Sequence, residues 1–216
     1  MESITSIFLD LDGTLCDPRE GIVRCLQHAL RELGHTPPLD DQLLRYIGPP
    51  LHDSLAILLN SGDTERVNRA VELYRERFAA KGVFENTIYA GIPDALARLK
   101  TSRYQLYVVT SKLTTFASQI VDRLELRGFF RNIYGSELDG TRADKRALIA
   151  HVLEQEQIYP HNAVMIGDRE HDIKGAIANG VRPIGVLWGY GSRDELTKAG
   201  ASVLCDSPQC LPIHFR

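Results

Sequence analysis

Cysteine is scarce in this sequence, and the few cysteines do not form a metal-binding or redox motif. The 216 residues include four, namely Cys16, Cys25, Cys205 and Cys210. They fall in two distant pairs without the CxxC spacing that is typical of zinc sites and redox motifs. We therefore predict reduced, mostly structural thiols, as expected in a reducing compartment where disulfides are rare.

Long hydrophobic runs and blocks of one charge are also absent from the sequence. No segment approaches the roughly 20 apolar residues of a membrane span, and the opening MESITSIFLDLDG lacks a basic region followed by a long apolar segment. The 25 lysines and arginines, against 28 aspartates and glutamates, include no basic block. We predict a cytoplasmic protein that binds neither membrane nor nucleic acid. The sequence contains no heptad pattern from which an oligomeric state could be predicted.

The second half of the sequence alternates between strand-like and helix-like segments. Short continuous apolar runs, typical of parallel strands buried on both faces, occur at residues 4–10, 104–111, 163–168, 181–188 and 201–205. Helical spacing occupies residues 93–100, 114–124, 145–154 and 171–178. This order predicts an α/β fold, a Rossmann-like three-layer core with a mostly parallel sheet.

One long interval interrupts the alternation after the first strand. Helical patterns there cover residues 19–33, 41–47, 51–60 and 64–80, with turn residues between them. Some seventy residues are too many for a connection between two strands, because structureless loops beyond about 15 residues are uncommon. We predict an inserted α-helical cap at residues 15–86, and an α/β core built from residues 1–14 and 87–216.

Three of the predicted strands end in polar residues, at Asp10, Thr110 and Asp168. Open α/β sheets bind ligands in the crevice outside the carboxyl ends of their strands, so we expect these three residues to lie in one site. Each signal is modest alone, because an Asp-Gly pair is often a turn and a Thr or Asp at a strand end often caps a helix. Their joint order along the chain is harder to explain without a site.

Carboxylates would crowd this site, since Asp12 follows Asp10 closely and Asp172 follows Asp168. Like charges raise one another's pKa unless a cation neutralises them. Ligation by oxygen alone suits Mg²⁺, which proteins usually hold with one or two carboxylates, waters and a substrate phosphate. The sequence therefore predicts a Mg²⁺ site.

These residues also carry a resemblance to a known family. DLDGT at residues 10–14, the apolar run closed by Thr110, Lys145 at a helix start and GDREHD at residues 167–172 resemble the four motifs of the haloacid dehalogenase-like superfamily. The helical insertion, YIGPPL at residues 46–51 and GYGSRDEL at residues 189–196 are most similar to the phosphoglycolate phosphatase-like branch. The turn at residues 189–191 is expected to be a mobile surface turn beside the site.

The resemblance implies a role for each motif residue. Asp10 would attack phosphorus and form an aspartyl-phosphate, while Asp12 would protonate the leaving alcohol and then deprotonate the hydrolytic water. Thr110 would hydrogen-bond the phosphoryl group, and Lys145 would offset its negative charge, with Lys112 as the competing assignment. Amide donors near Leu11, at the turn made by Gly13, and near Ser111 would face phosphate oxygens.

The resemblance likewise implies the metal ligands. They are Asp10, the backbone carbonyl of Asp12 and Asp168, with Asp172 supporting the metal or its water. The presence of Asp12 favours phosphate chemistry over dehalogenation, because a halide leaving group needs no proton.

We therefore expect a Mg²⁺-dependent phosphomonoester hydrolase acting on a small metabolite phosphate, with phosphoglycolate favoured. Three alternatives stay open at this point. They are a 5'-nucleotidase-type phosphatase, a phosphomutase that returns the phosphoryl group to a sugar, and a non-catalytic binding protein of the same fold.

Overall fold

The computed structural model describes residues 4–102 and 104–215, and the chain divides into two compact units. The first unit contains the residues up to Asp17 together with those from Ile88 onward. The second contains Pro18–Thr87. No helix in the described part of the chain is long and apolar enough to cross a membrane.

The strands and helices are numbered along the chain. The strands are β1 (Ser6–Leu9), β2 (Cys16–Asp17), β3 (Thr87–Ile88), β4 (Gln105–Leu113), β5 (Asn132–Ser136), β6 (Ala163–Gly167), β7 (Arg182–Val186) and β8 (Leu204–Cys205). The helices of the second unit are α1 (Arg19–Glu32), α2 (Asp40–Leu43), α3 (Leu51–Leu59) and α4 (Thr64–Ala80). Those of the first unit are α5 (Ile92–Thr101), α6 (Thr114–Arg123), α7 (Lys145–Gln155), α8 (Glu170–Ala178) and α9 (Arg193–Ala199).

A six-stranded sheet in the order β5-β4-β1-β6-β7-β8 forms the centre of the first unit. The pairings of β1 with β4 and β6, of β4 with β5, and of β7 with β6 and β8 are all parallel. The chain builds one side of the sheet from β1 through β4 to β5, then returns to β6 and builds the other side. This reversal beside β1 is the switch point where such sheets bind ligands. The predicted α/β fold with a mostly parallel sheet is confirmed.

Helices cover the faces of this sheet with apolar side chains. On one face, the buried rings of Phe8 and Tyr107 meet edge to face at 5.7 Å between centroids, beside Met165. The apolar side of α7, including Leu148 and Val152, packs against them in the same buried cluster. Side chains alternate along a strand, so the neighbours of these residues face the opposite layer of helices. The packing of α7 fixes the position of its first residue, Lys145.

Helices form nearly all the regular structure of the second unit. Its longest helix, α4, begins with a side-chain cap, because Asp63 accepts hydrogen bonds from the amides of Glu65 and Arg66. A half-buried ion pair holds the far end, where Arg77 and Glu85 lie 2.9 Å apart. The amide of Asn86 donates to the carbonyls of Gly82 and Val83, which satisfies a buried polar side chain.

The structure departs from the sequence pattern at one edge of the sheet. The pattern ends the second apolar run near Thr110, but β4 continues to Leu113 and shifts its register against β5 between Val109 and Leu113. Strand β5 and helix α9 were not part of the predicted pattern. Pairing of Leu113 with Ser136 extends β4, which is a long-range contact that the local sequence does not encode.

Candidate active site

The loop after β1 places two aspartates at the carboxyl edge of the sheet. The amide of Asp10 donates to the carbonyl of Ile166 at 2.9 Å, which continues the pairing with β6. The chain then turns tightly, because the carbonyl of Leu11 accepts the amides of Leu15 and Cys16. The side-chain carboxylates of Asp10 and Asp12 are both buried.

Gly13 allows this turn and a close approach to a third aspartate. Its φ is +82°, a left-handed conformation that favours glycine. A Cβ at this position would lie 2.2 Å from Oδ2 of Asp168, so any side chain would displace that carboxylate. The backbone conformation and the lack of room for a side chain therefore both require glycine at this position of the DLDGT motif.

Lys145 joins the loop after β1 to helix α8. Its Nζ lies 2.8 Å from Oδ1 of Asp10, 2.8 Å from Oδ1 of Asp172 and 2.9 Å from the carbonyl oxygen of Val109. Burial lowers the pKa of Lys145, but the attraction of Asp10 and Asp172 outweighs it and raises that pKa above its ordinary value. The lysine is therefore a buried, charged ammonium group.

Asp168 follows β6 directly and is completely buried. The hydroxyl of Thr14 donates to its Oδ1 at 3.3 Å, and the amide of Tyr190 donates to its Oδ2 at 2.8 Å. Burial, together with repulsion from Asp172 and Asp10, raises the pKa of Asp168 well above its usual range. Its ionised form therefore needs a counter-charge that these two donors do not provide.

Asp172 lies in the first turn of α8, where its Oδ2 accepts the amide of Arg169 at 3.1 Å. Burial raises its pKa to about 6, and Lys145 opposes that rise. Gly167 gives the carboxylate room, because a Cβ there would lie 2.2 Å from the Cγ of Asp172. Both carboxylate oxygens of Asp172 thus have partners within the protein.

Asp10, Asp168 and Asp172 form a buried acidic group, and each offers one oxygen within 4.8 Å of the others. Three converging, buried carboxylates are the donor set that a hard divalent cation prefers. The residues present therefore fit Mg²⁺. The carboxylate of Asp12 contacts Lys112. The atom that Asp12 is expected to offer the metal is its backbone carbonyl oxygen.

Lys112 contacts the other motif aspartate. Its Nζ lies 2.7 Å from Oδ2 of Asp12, and the two side chains are 8% and 10% exposed. Burial raises the pKa of Asp12, and Lys112 opposes that shift. The sequence left Lys112 and Lys145 as competing assignments for one role, whereas the structure brings both into the site, each at a different aspartate.

Thr110 and Ser111 lie where β4 shifts its register. Thr110 is buried, and its Oγ1 accepts the amide of Lys112 at 3.4 Å. The carbonyl of Ser111 accepts a hydrogen bond from the hydroxyl of Ser136 on β5. Helix α6 begins only at Thr114, so the amides near Ser111 belong to the strand rather than to the helix.

The turn at residues 188–191 supports the site in a way that sequence reasoning missed. The indole of Trp188 donates to the carbonyl of Thr14 at 3.0 Å, and Tyr190 binds Asp168 through its backbone. A Cβ on Gly189 or Gly191 would lie within 2.4 Å of Asp168 atoms. The sequence contains a signal for this supporting role. Two glycines flank an aromatic residue in the segment that follows a buried strand.

The family of the chain follows from comparison with known proteins. Residues 7–186 match the haloacid dehalogenase-like hydrolase family, which is most of the chain and includes all four motifs. The chain belongs to this family. The predicted resemblance and the predicted enzyme class are therefore confirmed.

Among relatives of this haloacid dehalogenase-like hydrolase, three carry different names. A 5'-nucleotidase of Pseudomonas aeruginosa is 47% identical over 191 residues, covering 88% of this chain and 86% of that protein. Tyrosine-protein kinase PtkA of Mycobacterium tuberculosis is 37% identical over 203 residues, covering 94% of this chain and 69% of that protein. A phosphoglycolate phosphatase of Aquifex aeolicus is 32% identical over 184 residues, covering 85% of each.

A solved structure agrees with the fold over nearly the whole chain. The crystal structure of a predicted phosphatase from Clostridium acetobutylicum superposes with a TM-score of 0.95 and 38% identity, covering 98% of both chains. The two proteins therefore share the α/β architecture.

Proposed function

We propose that this haloacid dehalogenase-like hydrolase is a Mg²⁺-dependent phosphomonoesterase that forms an aspartyl-phosphate on Asp10. The observation that carries the proposal is the contact between the carboxylate of Asp10 and the buried ammonium of Lys145 at 2.8 Å, beside the acidic group with Asp168 and Asp172. A carboxylate oxygen fixed in position by a neighbouring cation is suited to attack an electrophilic phosphorus.

In the first step, a carboxylate oxygen of Asp10 bonds to phosphorus and the ester bond breaks. Charge accumulates on the phosphoryl oxygens as this happens, and Lys145 is placed to stabilise it because its ammonium is already desolvated and fixed by three oxygens. The lysine needs no rearrangement at the moment of reaction.

Asp12 serves as the general acid and base. Burial raises its pKa, so the carboxyl takes up a proton more readily than an ordinary aspartate does. A protonated Asp12 can then give its proton to the leaving alcohol. The resulting carboxylate then takes a proton from the water that hydrolyses the aspartyl-phosphate. Backbone amides near Leu11, Gly13 and Ser111, together with the hydroxyl of Thr110, are the donors that we assign to the phosphoryl oxygens.

Mg²⁺ would be held by Asp10, the backbone carbonyl of Asp12 and Asp168. When bound, it supplies positive charge that neutralises the crowded carboxylates and the substrate phosphate. We assign Asp172 to support the metal or its water, with its oxygens also contacting Lys145 and the amide of Arg169.

Nucleoside 5'-monophosphates are the substrate class that we favour. The 5'-nucleotidase relative is 47% identical to this chain, whereas the phosphoglycolate phosphatase relative is 32% identical. Phosphoglycolate, which the sequence pattern favours, is the second candidate within the same reaction.

The experiment is phosphate release from a panel of nucleotides and small metabolite phosphates, with and without Mg²⁺. We expect Mg²⁺-dependent release that Asp10→Asn abolishes, with the highest kcat/KM for a nucleotide. Isomerised sugar phosphate without free phosphate would instead support the phosphomutase alternative. Ligand binding without turnover would support the non-catalytic alternative.

Transfer of a phosphoryl group to tyrosine is a second candidate, favoured by the match of PtkA to 94% of this chain. The test is incubation with γ-labelled ATP and a tyrosine-containing peptide, followed by mass spectrometry of the peptide. Phosphotyrosine that disappears in Asp10→Asn would support this activity. Release of inorganic phosphate alone would support hydrolysis.

A further inference from the structure

Lys112 is a buried cation to which the proposed mechanism gives no task. Its Nζ is inaccessible to solvent and lies 2.7 Å from Oδ2 of Asp12. Burying an ion pair costs desolvation energy that the attraction often fails to repay, so such a pair is weak evidence for a stabilising role. Its contact with Asp12 instead suggests a role in the reaction.

The backbone on both sides of Lys112 is fixed, which makes the position of its ammonium a built feature. On one side, the hydroxyl of Ser136 donates to the carbonyl of Ser111 at 2.9 Å. On the other side, the hydroxyl of Thr114 donates to the carbonyl of Ser136 at 3.2 Å. Gly135 permits this approach, because a Cβ there would lie 2.4 Å from the carbonyl oxygen of Lys112.

The contact with Lys112 places the two carboxylate oxygens of Asp12 in different surroundings. Oδ2 faces the ammonium of Lys112, whereas Oδ1 is buried and has no hydrogen-bond partner within residues 4–102 and 104–215. A buried polar atom without a partner is uncommon and is usually completed by water or ligand. Because Oδ2 faces the ammonium, Oδ1 is the oxygen left to exchange a proton with a bound ligand.

We infer that Lys112 is a positioning residue that acts through Asp12, holding Oδ2 so that Oδ1 exchanges the proton with the leaving alcohol and then with water. The inference rests on the proposed function and adds a residue to it. In the first step, the bond from Asp10 to phosphorus forms, the ester bond breaks, and the proton on Oδ1 passes to the ester oxygen. In the second step, water bonds to phosphorus, the bond to Asp10 breaks, and Oδ1 takes a proton from the water. Lys112 stays an ammonium throughout.

A leaving-group comparison tests this role in Lys112→Met, which keeps the length of the side chain and removes its charge. The alkoxide of a nucleoside 5'-monophosphate leaves poorly and needs the proton, whereas p-nitrophenolate leaves without it. The kcat/KM of each ester reports the first step. We expect kcat/KM to fall at least about tenfold for the nucleotide and less than about threefold for p-nitrophenyl phosphate, since general acids contribute about 10² to 10⁴.

Two further variants separate positioning from other roles. In the Asp12→Asn background, Lys112→Met should cause no additional loss with the nucleotide, because both changes remove the same proton transfer. Lys145→Met is the matched control, and its losses should be similar for both esters because that lysine contacts the nucleophile. Lys112→Arg retains a cation and should retain more nucleotide activity than Lys112→Met, provided that circular dichroism shows both variants folded.

Two results would overturn the inference. One is an equal loss of kcat/KM for both esters in Lys112→Met, which would make Lys112 a phosphoryl-binding group. The other is an additive loss in the double variant, which would show that Lys112 acts independently of Asp12. Failure of the parent protein to hydrolyse either ester would overturn the proposed function itself, and is distinguishable because no variant is needed to see it.

Discussion

At the scale of single residues, charge balance in the site depends on Lys145. One buried ammonium contacts two carboxylates and a backbone carbonyl, from a position at the start of α7. A lysine at a helix start is unremarkable in sequence. Its place in the site arises because α7 packs against the sheet and directs this residue to the carboxyl end of β1.

We predict that Lys145→Met lowers kcat for phosphate release by at least about 10² to 10³, as does removal of an oxyanion donor in other enzymes. The physical reason is the loss of the only assigned side-chain cation at Asp10. Lys198→Met is the control, since that side chain is 76% exposed and pairs with Asp194 at the surface. Unchanged kcat in Lys145→Met would contradict the role given to this residue.

Gly13 provides a second test at this scale, and Gly140 offers a matched control. Both glycines have positive φ, at +82° and +88°, so alanine strains the backbone at both sites. Only at Gly13 would the new Cβ meet a carboxylate, because nothing lies within 4 Å at Gly140. We predict that Gly13→Ala abolishes detectable phosphate release and that Gly140→Ala retains it. Equal activities would show that the approach to Asp168 is unimportant.

The sequence predicted that the carboxylates of the candidate site lie together, but not which aspartate each lysine contacts. Asp10 and Asp12, like Asp168 and Asp172, are close neighbours in the chain, so local motifs bring them together. Lys112 and Lys145 reach the site from separate elements, and their partners are far away in sequence. Only the folded arrangement could assign each lysine to its aspartate.

At the scale of elements, the strands formed by continuous apolar runs were predicted from the sequence, whereas β5 was not. β1, β4 and β6 are continuous apolar runs, which identify buried parallel strands. β5 is a short edge strand, NIYGS, that includes a glycine and polar residues. It exists because of its pairing with β4, and the same pairing extends β4 past Thr110.

The turn at residues 188–191 illustrates the same limit. A pattern of small residues around Tyr190 predicts a surface turn, but the structure places that turn against Asp168 and Thr14. Those contacts join residues more than twenty positions apart in sequence. No local propensity describes them.

Helix α7 provides a prediction at this scale, because its cap stabilises the helix that carries Lys145. The carboxylate of Asp144 accepts the amide of Ala147 at 3.0 Å. We predict that Asp144→Ala lowers the free energy of unfolding by about 1 kcal/mol, measured by urea denaturation. Asp144→Asn should recover most of this loss, because asparagine caps helices as well as aspartate does. Equal losses in both variants would mean that the cap is not the cause.

At the scale of the whole molecule, every residue assigned to catalysis or metal binding lies in the α/β unit. The helical unit contains none of them. The stability of the α/β unit should therefore report Mg²⁺ binding directly, since binding to the folded state alone stabilises it.

The raised carboxylate pKa values predict how that stabilisation depends on pH. In the absence of Mg²⁺, Asp172 binds its proton more tightly in the folded chain, with a pKa of about 6 against an ordinary value of 3.8. Its contribution to stability is complete below the lower value and is lost as the pH rises through the higher one. Asp168 shifts in the same direction. Mg²⁺ binds ionised carboxylates. Its stabilising effect should therefore grow over the pH range in which these carboxyl groups lose their protons.

We therefore predict that Mg²⁺ raises the Tm more at about pH 7.5 than at about pH 5, as measured by differential scanning calorimetry. Sodium chloride at the same ionic strength is the control for screening. Asp168→Asn should remove most of the difference. A Mg²⁺ effect of equal size at both pH values would argue against binding at this acidic group.

Chemical trapping is the most direct test of whether Asp10 carries the phosphoryl group. The protein is mixed with Mg²⁺ and a hydrolysed phosphoester, quenched during turnover and reduced with borohydride, which converts an aspartyl-phosphate to homoserine. Peptide mass spectrometry then locates the change. We predict homoserine at position 10 in the parent protein and no phosphate release by Asp10→Asn. Homoserine at another aspartate, or undiminished release by Asp10→Asn, would contradict the mechanism.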